Sequence, residues 1–104
     1  MSKYPAGPLS AFEEGVGVRL EIDAHRIAIF LVDGEVFAIG DRCSHAEASL
    51  SEGEVYDHEI ECPRHGSAFD LRSGKPLSLP ATKPVPVYSV TIEEGTVYVE
   101  LPDD

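Results

Sequence analysis

Four residues of the kinds that bind soft metal ions occur in two short segments of this 104-residue chain. The first ligand segment is Cys43-Ser44-His45, and the second is Cys62-Pro63-Arg64-His65. Each segment combines one thiol with one imidazole, in the spacings C-x-H and C-x-x-H. Proteins use these two donors for zinc ions and for iron–sulfur clusters. We therefore expect the two cysteines and two histidines to form one metal centre.

The spacing leaves two kinds of centre open. Four such donors can close around one tetrahedral Zn²⁺, or they can hold two irons when histidines replace cysteines on one of them. Structural zinc sites usually pair like ligands on one knuckle or helix, whereas each segment here mixes Cys with His between strand-like sequences. Mixed segments suit a [2Fe–2S] cluster whose two irons have different ligands. We therefore favour one such cluster per chain.

The surrounding sequence predicts strands that would position these segments, because helical periodicity is nearly absent and strand and turn signals recur throughout. Asp33-Gly34 between two apolar runs predicts a β-hairpin, since a type I′ turn requires positive φ. Asp57-His58 marks a second hairpin between the ligand segments, which can bring them face to face. The predicted strands are 16–22, 27–32, 35–39, 54–56, 59–62, 68–71, 87–92 and 96–101, with a short helical turn at 46–50. We predict one all-β antiparallel domain over residues 1–104, either a sandwich or a small barrel.

Charge and hydropathy narrow the function classes. The chain has 19 acidic and 8 basic residues, which give a formal net charge of −11 at pH 7. Nucleic acids and anionic membranes attract proteins through Lys/Arg patches, so this charge argues against both as partners. No apolar run approaches the roughly 20 residues that cross a bilayer, and the N-terminus lacks the apolar stretch of a secretory signal. We expect a cytoplasmic protein, in which two cysteines indicate a metal or redox role.

The motifs together resemble the Rieske ferredoxin family over nearly the whole chain, from about Val16 to Leu101. The two ligand segments carry most of the resemblance. Further motifs follow in the family's order: Leu50-Ser51-Glu52-Gly53, Phe69-Asp70-Leu71-Arg72-Ser73-Gly74, the segment 80–86, Tyr88-Ser89-Val90 and the last predicted hairpin. The resemblance implies a barrel-like Rieske fold with a cluster-binding subdomain of two loops at about 41–80.

The resemblance also implies what the ligands do. Cys43 and Cys62 would hold an inner iron, and His45 and His65 an outer iron near the surface. The protein would be a monomeric electron carrier and not an enzyme by itself. It would take one electron from a flavin-dependent ferredoxin reductase and deliver it to the terminal oxygenase of a bacterial ring-hydroxylating, non-haem iron system.

Departures from the family pattern indicate a low reduction potential. High-potential members have two extra cysteines that bridge the cluster loops, and a tyrosine whose hydroxyl bonds a ligand sulfur. Ala48 and Arg64 stand at the cysteine positions here, and Phe69 stands at the tyrosine position, whereas Ser67 matches a serine that bonds a bridging sulfide. Fewer hydrogen bonds to sulfur stabilise the reduced charge less, which lowers the potential.

Two other roles remain open at this point. The chain could be a Rieske-like small subunit of a reductase, such as an assimilatory nitrite reductase, although those subunits often lack the ligands that are present here. A zinc-binding interaction module is an alternative from another class. We expect the two remaining histidines, His25 and His58, to lie on the solvated surface, and Phe69 to lie in the core.

Overall fold

The computed structural model describes residues 2–42, 48–63, 67–77 and 83–101. These ranges contain nine strands and two short 3₁₀ turns, and none of their helices is long and apolar enough to span a membrane. The strands are β1 (Ser2–Pro8), β2 (Val18–Ile22), β3 (His25–Val32), β4 (Glu35–Gly40), β5 (Glu54–Tyr56), β6 (Glu59–Glu61), β7 (Ala68–Asp70), β8 (Val87–Glu93) and β9 (Thr96–Leu101). The 3₁₀ turns are Leu9–Ala11 and Leu50–Glu52. The predicted all-β class is confirmed.

Six strands form one antiparallel sheet in the order β1-β9-β8-β4-β3-β2. The middle of this sheet is narrow, because β4 and β8 pair only at Ala38 with Tyr88 and at Ile39 with Val87. The remaining strands form a small antiparallel sheet in the order β5-β6-β7. The result is a nearly closed, barrel-like sheet with a second, three-stranded sheet beside it.

The hairpin turns follow from local sequence. Asp33 and Gly34 have φ of 49° and 78°, the positive values that the β3–β4 turn was predicted to need. Glu94 and Gly95 join β8 to β9 with φ of 50° and 78°. Asp57 in the β5–β6 turn also has positive φ, which aspartate tolerates better than most residues. The predicted hairpins are therefore confirmed.

Strand β3 divides the interior into two cores because successive side chains of a strand point to opposite faces. One set of its residues packs inside the six-stranded sheet, and the other set packs toward the small sheet. The barrel core comprises Phe12, Ile27, Ile29, Ala38, Val97, Val99 and Leu101. The subdomain core comprises Ala28, Phe30, Val32, Ile39, Leu50, Ile60, Cys62, Phe69, Leu71 and Val85. One of the predicted metal ligands thus lies in the subdomain core.

Strand β1 was not predicted from the sequence. It contains two prolines, which remove backbone donors and usually argue against a strand. The structure accommodates them because β1 lies at the edge of the six-stranded sheet and pairs only with β9. The register shifts between Pro5 and Gly7, which is a β-bulge of the kind common at sheet edges.

The short helical turn predicted at 46–50 is displaced toward the C-terminus. Residues 46 and 47 lie outside the described residues, and the 3₁₀ turn runs from Leu50 to Glu52. Ser49 stays extended, with φ −95° and ψ 119°, because it forms a bridge with Arg42. The prediction was wrong by a few residues, since this long-range pairing competes with local turn formation.

Candidate metal centre

The structure describes one of the four predicted ligands. Cys62 directly follows β6, is 1% exposed and forms no disulfide. It belongs to the subdomain core together with Ile60, Phe69 and Leu71. Cys43, His45 and His65 lie outside the described residues. The burial of Cys62 is compatible with a ligand on an inner iron, and its role as a ligand stays a prediction.

The second ligand segment lies in the connection between β6 and β7. At its base the Cys62 backbone N–H donates to the Ser67 carbonyl oxygen at 2.7 Å. Glu61 pairs with Ala68 in the next register position. The chain therefore leaves the small sheet at Cys62 and returns beside it at Ser67, which is fully buried.

The first ligand segment has a similar closed base. Arg42 and Ser49 form an isolated antiparallel bridge, and the Leu50 N–H donates to the Asp41 carbonyl oxygen at 2.5 Å. The segment between them therefore starts and ends at neighbouring backbone positions. We call the hydrogen-bonded residues on either side of each ligand segment its base. Because backbone hydrogen bonds fix both bases, the ligands have less conformational entropy to lose when they bind a metal.

The two bases lie close together. Gly53 directly follows the 3₁₀ turn after the first segment, and a Cβ atom there would lie only 2.0 Å from the Glu61 carbonyl oxygen. Glu61 is the last residue before Cys62. Leu50 of the same turn is fully buried in the subdomain core that contains Cys62. The hairpin between the segments therefore positions their bases side by side, and the predicted face-to-face arrangement of the ligands themselves lies outside the described residues.

The surroundings of Cys62 fit an iron–sulfur cluster. A thiolate donor that is buried among apolar side chains is shielded from water, and this shielding tunes the potential of a bound metal and protects it. Phe69 and Leu71 are both fully buried in the same core, so the core role predicted for Phe69 is confirmed. Ser67 is also fully buried. The described part of the site thus offers a soft donor in a dry core at the base of a loop.

A cavity of about 210 Å³ opens beside the base of the first ligand segment and is lined by three arginines. The lining residues are Arg19, Arg26, Arg42, Ala48, Ser49 and Glu52. Arg19 donates to Glu21 at 2.7 Å, and both Arg19 and Arg26 approach the buried carboxylate of Asp41. Two guanidinium groups therefore pair with the carboxylates of Glu21 and Asp41, so this patch contains an ion-pair network that covers Asp41.

Asp41 is ionised in spite of its burial. Burial by itself raises the pKa of the Asp41 carboxyl, but hydrogen bonds from Ser49 and Ser51 and the charge of Arg26 outweigh it. The pKa of Asp41 therefore lies below its ordinary value. The lowered pKa favours the negatively charged carboxylate at the base of the first ligand segment.

The two remaining histidines are not solvated surface residues, and that prediction was wrong. His25 is half-buried, with its ring edge-on to Tyr88 and its Nδ1 3.4 Å from the Tyr88 hydroxyl. His58 packs edge-on against Phe37, with ring centroids 5.6 Å apart. The ring is partly covered because it contacts Phe37 of β4, a long-range contact that the sequence around residue 58 does not indicate.

His58 provides a test of this packing. Its Nε2 is buried without a hydrogen-bond partner, and the Asp33 carboxylate is 3.9 Å away. We expect His58→Leu to leave the free energy of unfolding unchanged or to raise it by up to about 1 kcal/mol, because the substitution removes an unpaired buried polar atom. Anaerobic thermal unfolding at pH 8 measures the effect.

His25→Leu is the matched control, since it deletes a ring nitrogen that has a partner. We expect it to lower stability by about 0.5–1.5 kcal/mol, the usual net value of one hydrogen bond. Equal losses in the two variants, or a larger loss for His58→Leu, would show that His58 has a polar partner in solution.

Comparison with known proteins agrees with this geometry. A family model described as the Rieske [2Fe-2S] domain matches residues 2–89. The 3-phenylpropionate/cinnamic acid dioxygenase ferredoxin subunit of Escherichia coli K12 is 43% identical over 104 residues, which cover 99% of this chain and 97% of that protein.

Solved structures share the fold. In the complex of reduced oxygenase and oxidized ferredoxin of carbazole 1,9a-dioxygenase, one chain is 38% identical with a TM-score of 0.88, over 93% of this chain and 100% of that one. A Mycobacterium tuberculosis chain named as the small subunit of an NADH-dependent nitrite reductase is 30% identical with a TM-score of 0.82, over 94% and 93%. This chain belongs to the Rieske [2Fe-2S] domain family, and its cofactor is a single [2Fe-2S] cluster.

Proposed function

We propose that this chain is the ferredoxin component of a ring-hydroxylating oxygenase system. It takes one electron from a flavin-dependent ferredoxin reductase and passes it to a terminal non-haem iron oxygenase. The observation that carries the proposal is the 43% identity to a dioxygenase ferredoxin subunit over 99% of this chain. The similar chain in a ferredoxin–oxygenase complex supports the same partner class. The chain is a carrier, so it is not an enzyme by itself.

The cluster ligands we propose are Cys43 and Cys62 on the inner iron and His45 and His65 on the outer iron. The bound cluster supplies reversible one-electron chemistry. Cys62 contributes a thiolate from within the subdomain core, where water is excluded. The pinned bases of the two ligand segments hold the backbone on either side of these ligands. These residues belong to the subdomain that we propose at about 41–80, within a single domain.

The small sheet adds an acidic outer face to this subdomain. Its three strands contain no Lys or Arg, and the register places Glu54 opposite Glu61 and Glu59 opposite Asp70. Like charges in directly opposed positions destabilise a sheet, so this arrangement costs stability. It also favours encounter with a positively charged partner surface. A carrier needs such weak and fast association, typically through interfaces below about 1,200 Å².

The cellular setting completes the proposal. We place the chain in the cytoplasm as a monomer, where reducing conditions keep cysteines available as metal ligands. Its net charge of −11 disfavours association between copies and repels anionic partners.

The nitrite reductase subunit is the second candidate. It is supported by the Mycobacterium tuberculosis chain, which is less similar, at 30% identity, than the dioxygenase ferredoxin subunit. The two candidates differ in how they associate, because a subunit forms a permanent complex whereas a carrier dissociates after each transfer. Gel filtration with each candidate partner separates these outcomes.

Electron transfer itself is the decisive experiment. The full chain, purified anaerobically and reduced with dithionite, is mixed in a stopped-flow instrument with the oxidised terminal oxygenase of the Escherichia coli 3-phenylpropionate system. We expect the absorbance of this chain to recover as the oxygenase is reduced, at a rate that falls as salt is added. A reddish-brown sample that bleaches with dithionite also separates iron from zinc. Absence of transfer, or a colourless zinc protein, would contradict the proposal.

A further inference from the structure

A buried carboxylate lies just before the first ligand segment in the chain. Asp41 follows the last residue of β4, precedes Cys43 by two positions and is 0% exposed. Aspartate is rarely fully buried unless it is paired, because burying a charge costs free energy that only partners can offset. Its partners therefore indicate its role.

The hydrogen-bond partners of Asp41 follow the first ligand segment in the chain. Ser49 Oγ donates a hydrogen bond to Asp41 Oδ2, and the Ser51 backbone N–H donates to Oδ1 at 2.8 Å. The Leu50 N–H donates to the carbonyl oxygen of the same aspartate. Three successive residues after the segment thus bind the one residue that stands two positions before its first ligand.

The other side of Asp41 is fixed to the six-stranded sheet. Its backbone N–H donates to the Arg26 carbonyl oxygen at 2.9 Å in β3. Arg26 Nη2 lies 3.5 Å and Arg19 Nε 3.8 Å from Oδ2, so two neighbouring strands supply positive charge. The Asp41 carboxylate therefore joins the sheet, the start of the ligand segment and the end of that segment in one network.

We propose that Asp41 is a positioning residue for the cluster, which holds both ends of the first ligand segment so that Cys43 and His45 meet the irons from a fixed backbone. This inference rests on the proposed ligand assignment. Groups that orient metal ligands without touching the metal typically change metal affinity by about 10- to 100-fold when they are removed. A role confined to overall folding would instead change the unfolding temperature without changing the properties of the bound cluster.

The test uses Ser49→Ala as the mild variant and Asp41→Ala as the severe one. Asp41→Asn is the conservative variant, because its amide oxygen can still accept one of the two hydrogen bonds. Ser73→Ala is the matched control, since Ser73 Oγ donates to Asp70 Oδ2 at 3.0 Å in an exposed turn outside this network. Each protein is purified anaerobically, and far-UV circular dichroism establishes that it is folded.

Three properties are then measured for the variants that are folded and contain the cluster. These are the half-life of the visible absorbance in the presence of a chelator, the EPR g-values after reduction, and the reduction potential. We expect Ser49→Ala to lose its cluster about tenfold faster than wild type and to shift its g-values. Asp41→Ala should be affected more strongly and Asp41→Asn less strongly than Asp41→Ala, whereas Ser73→Ala should match wild type.

Two outcomes would overturn the inference, and they are distinguishable. Wild-type half-life, g-values and potential in both Ser49→Ala and Asp41→Asn would show that Asp41 does not position the ligands, while leaving the proposed function intact. Wild-type protein that contains no iron would overturn the proposed function, and the inference with it.

Discussion

The Cys62→Ser variant is expected to contain no [2Fe–2S] cluster and to unfold at a much lower temperature than wild type. A serine hydroxyl is a poor substitute for a thiolate, which is the donor that holds iron in such clusters. Metal binding is part of the folding free energy, so the loss of the cluster removes that stabilisation. The hydroxyl also replaces a thiol that is 1% exposed in an apolar core, which costs roughly 1–3 kcal/mol if it finds no partner.

Iron and acid-labile sulfide content, the visible spectrum and thermal unfolding measure this effect. Cys62→Ala is the matched control, because it removes the ligand without burying a hydroxyl. Both variants should lack the cluster, and the alanine variant should be the more stable of the two. A Cys62→Ser protein with the wild-type iron content and spectrum would exclude Cys62 as a ligand.

The elements that could be predicted from the sequence are those that depend on local chemistry. Asp33-Gly34 supplies positive φ at both turn positions regardless of the rest of the chain, so the β3–β4 hairpin was predictable. The alternation of apolar residues in β9 likewise needs no distant partner to be recognised, and its burial pattern alternates accordingly. Strand β1 was missed because its prolines are tolerated only at a sheet edge, and edge position is a property of the whole topology.

The metal centre also has local features that the sequence reveals and long-range features that it does not. The identity and spacing of the ligand residues are visible in the sequence, where mixed Cys/His segments favoured a [2Fe–2S] cluster over zinc and the family resemblance strengthened that preference. The structure places Cys62 in the core and does not describe Cys43, His45 and His65, and the ligand role of all four residues remains a prediction. Residues that act on the site through long-range contacts were not recognisable. From the sequence alone, Asp41 cannot be distinguished from an ordinary turn residue. Only the structure shows that it pairs with Ser49 and Arg26.

Gly53 shows how a single backbone contact can determine the relation between the two ligand segments. Its φ of −81° and ψ of 179° are open to any residue, so backbone conformation does not require glycine here. The requirement is space, because a Cβ atom would lie 2.0 Å from the Glu61 carbonyl oxygen and 3.2 Å from Ile60 Cδ1. Any side chain at position 53 must therefore push the 3₁₀ turn away from the end of β6.

We expect Gly53→Ala to lower the free energy of unfolding by about 3 kcal/mol, the upper part of the usual range for overpacking, because the atom in its way is backbone. The displacement reaches Cys62, the residue after Glu61, so the EPR g-values of the reduced cluster should also shift. Urea or thermal unfolding under anaerobic conditions measures the first effect, and EPR measures the second.

Gly95→Ala separates this steric effect from the general cost of replacing a glycine. Gly95 has φ of 78°, and a Cβ atom at this position would have no other atom within 4 Å. Its substitution therefore introduces backbone strain of about 1 kcal/mol but no collision. Its turn joins β8 to β9, away from the small sheet, so the g-values should remain those of wild type. If Gly53→Ala proved no more destabilising than Gly95→Ala and left the g-values unchanged, the turn and β6 would have room to separate. The close contact between the two bases would then not fix the geometry of the cluster.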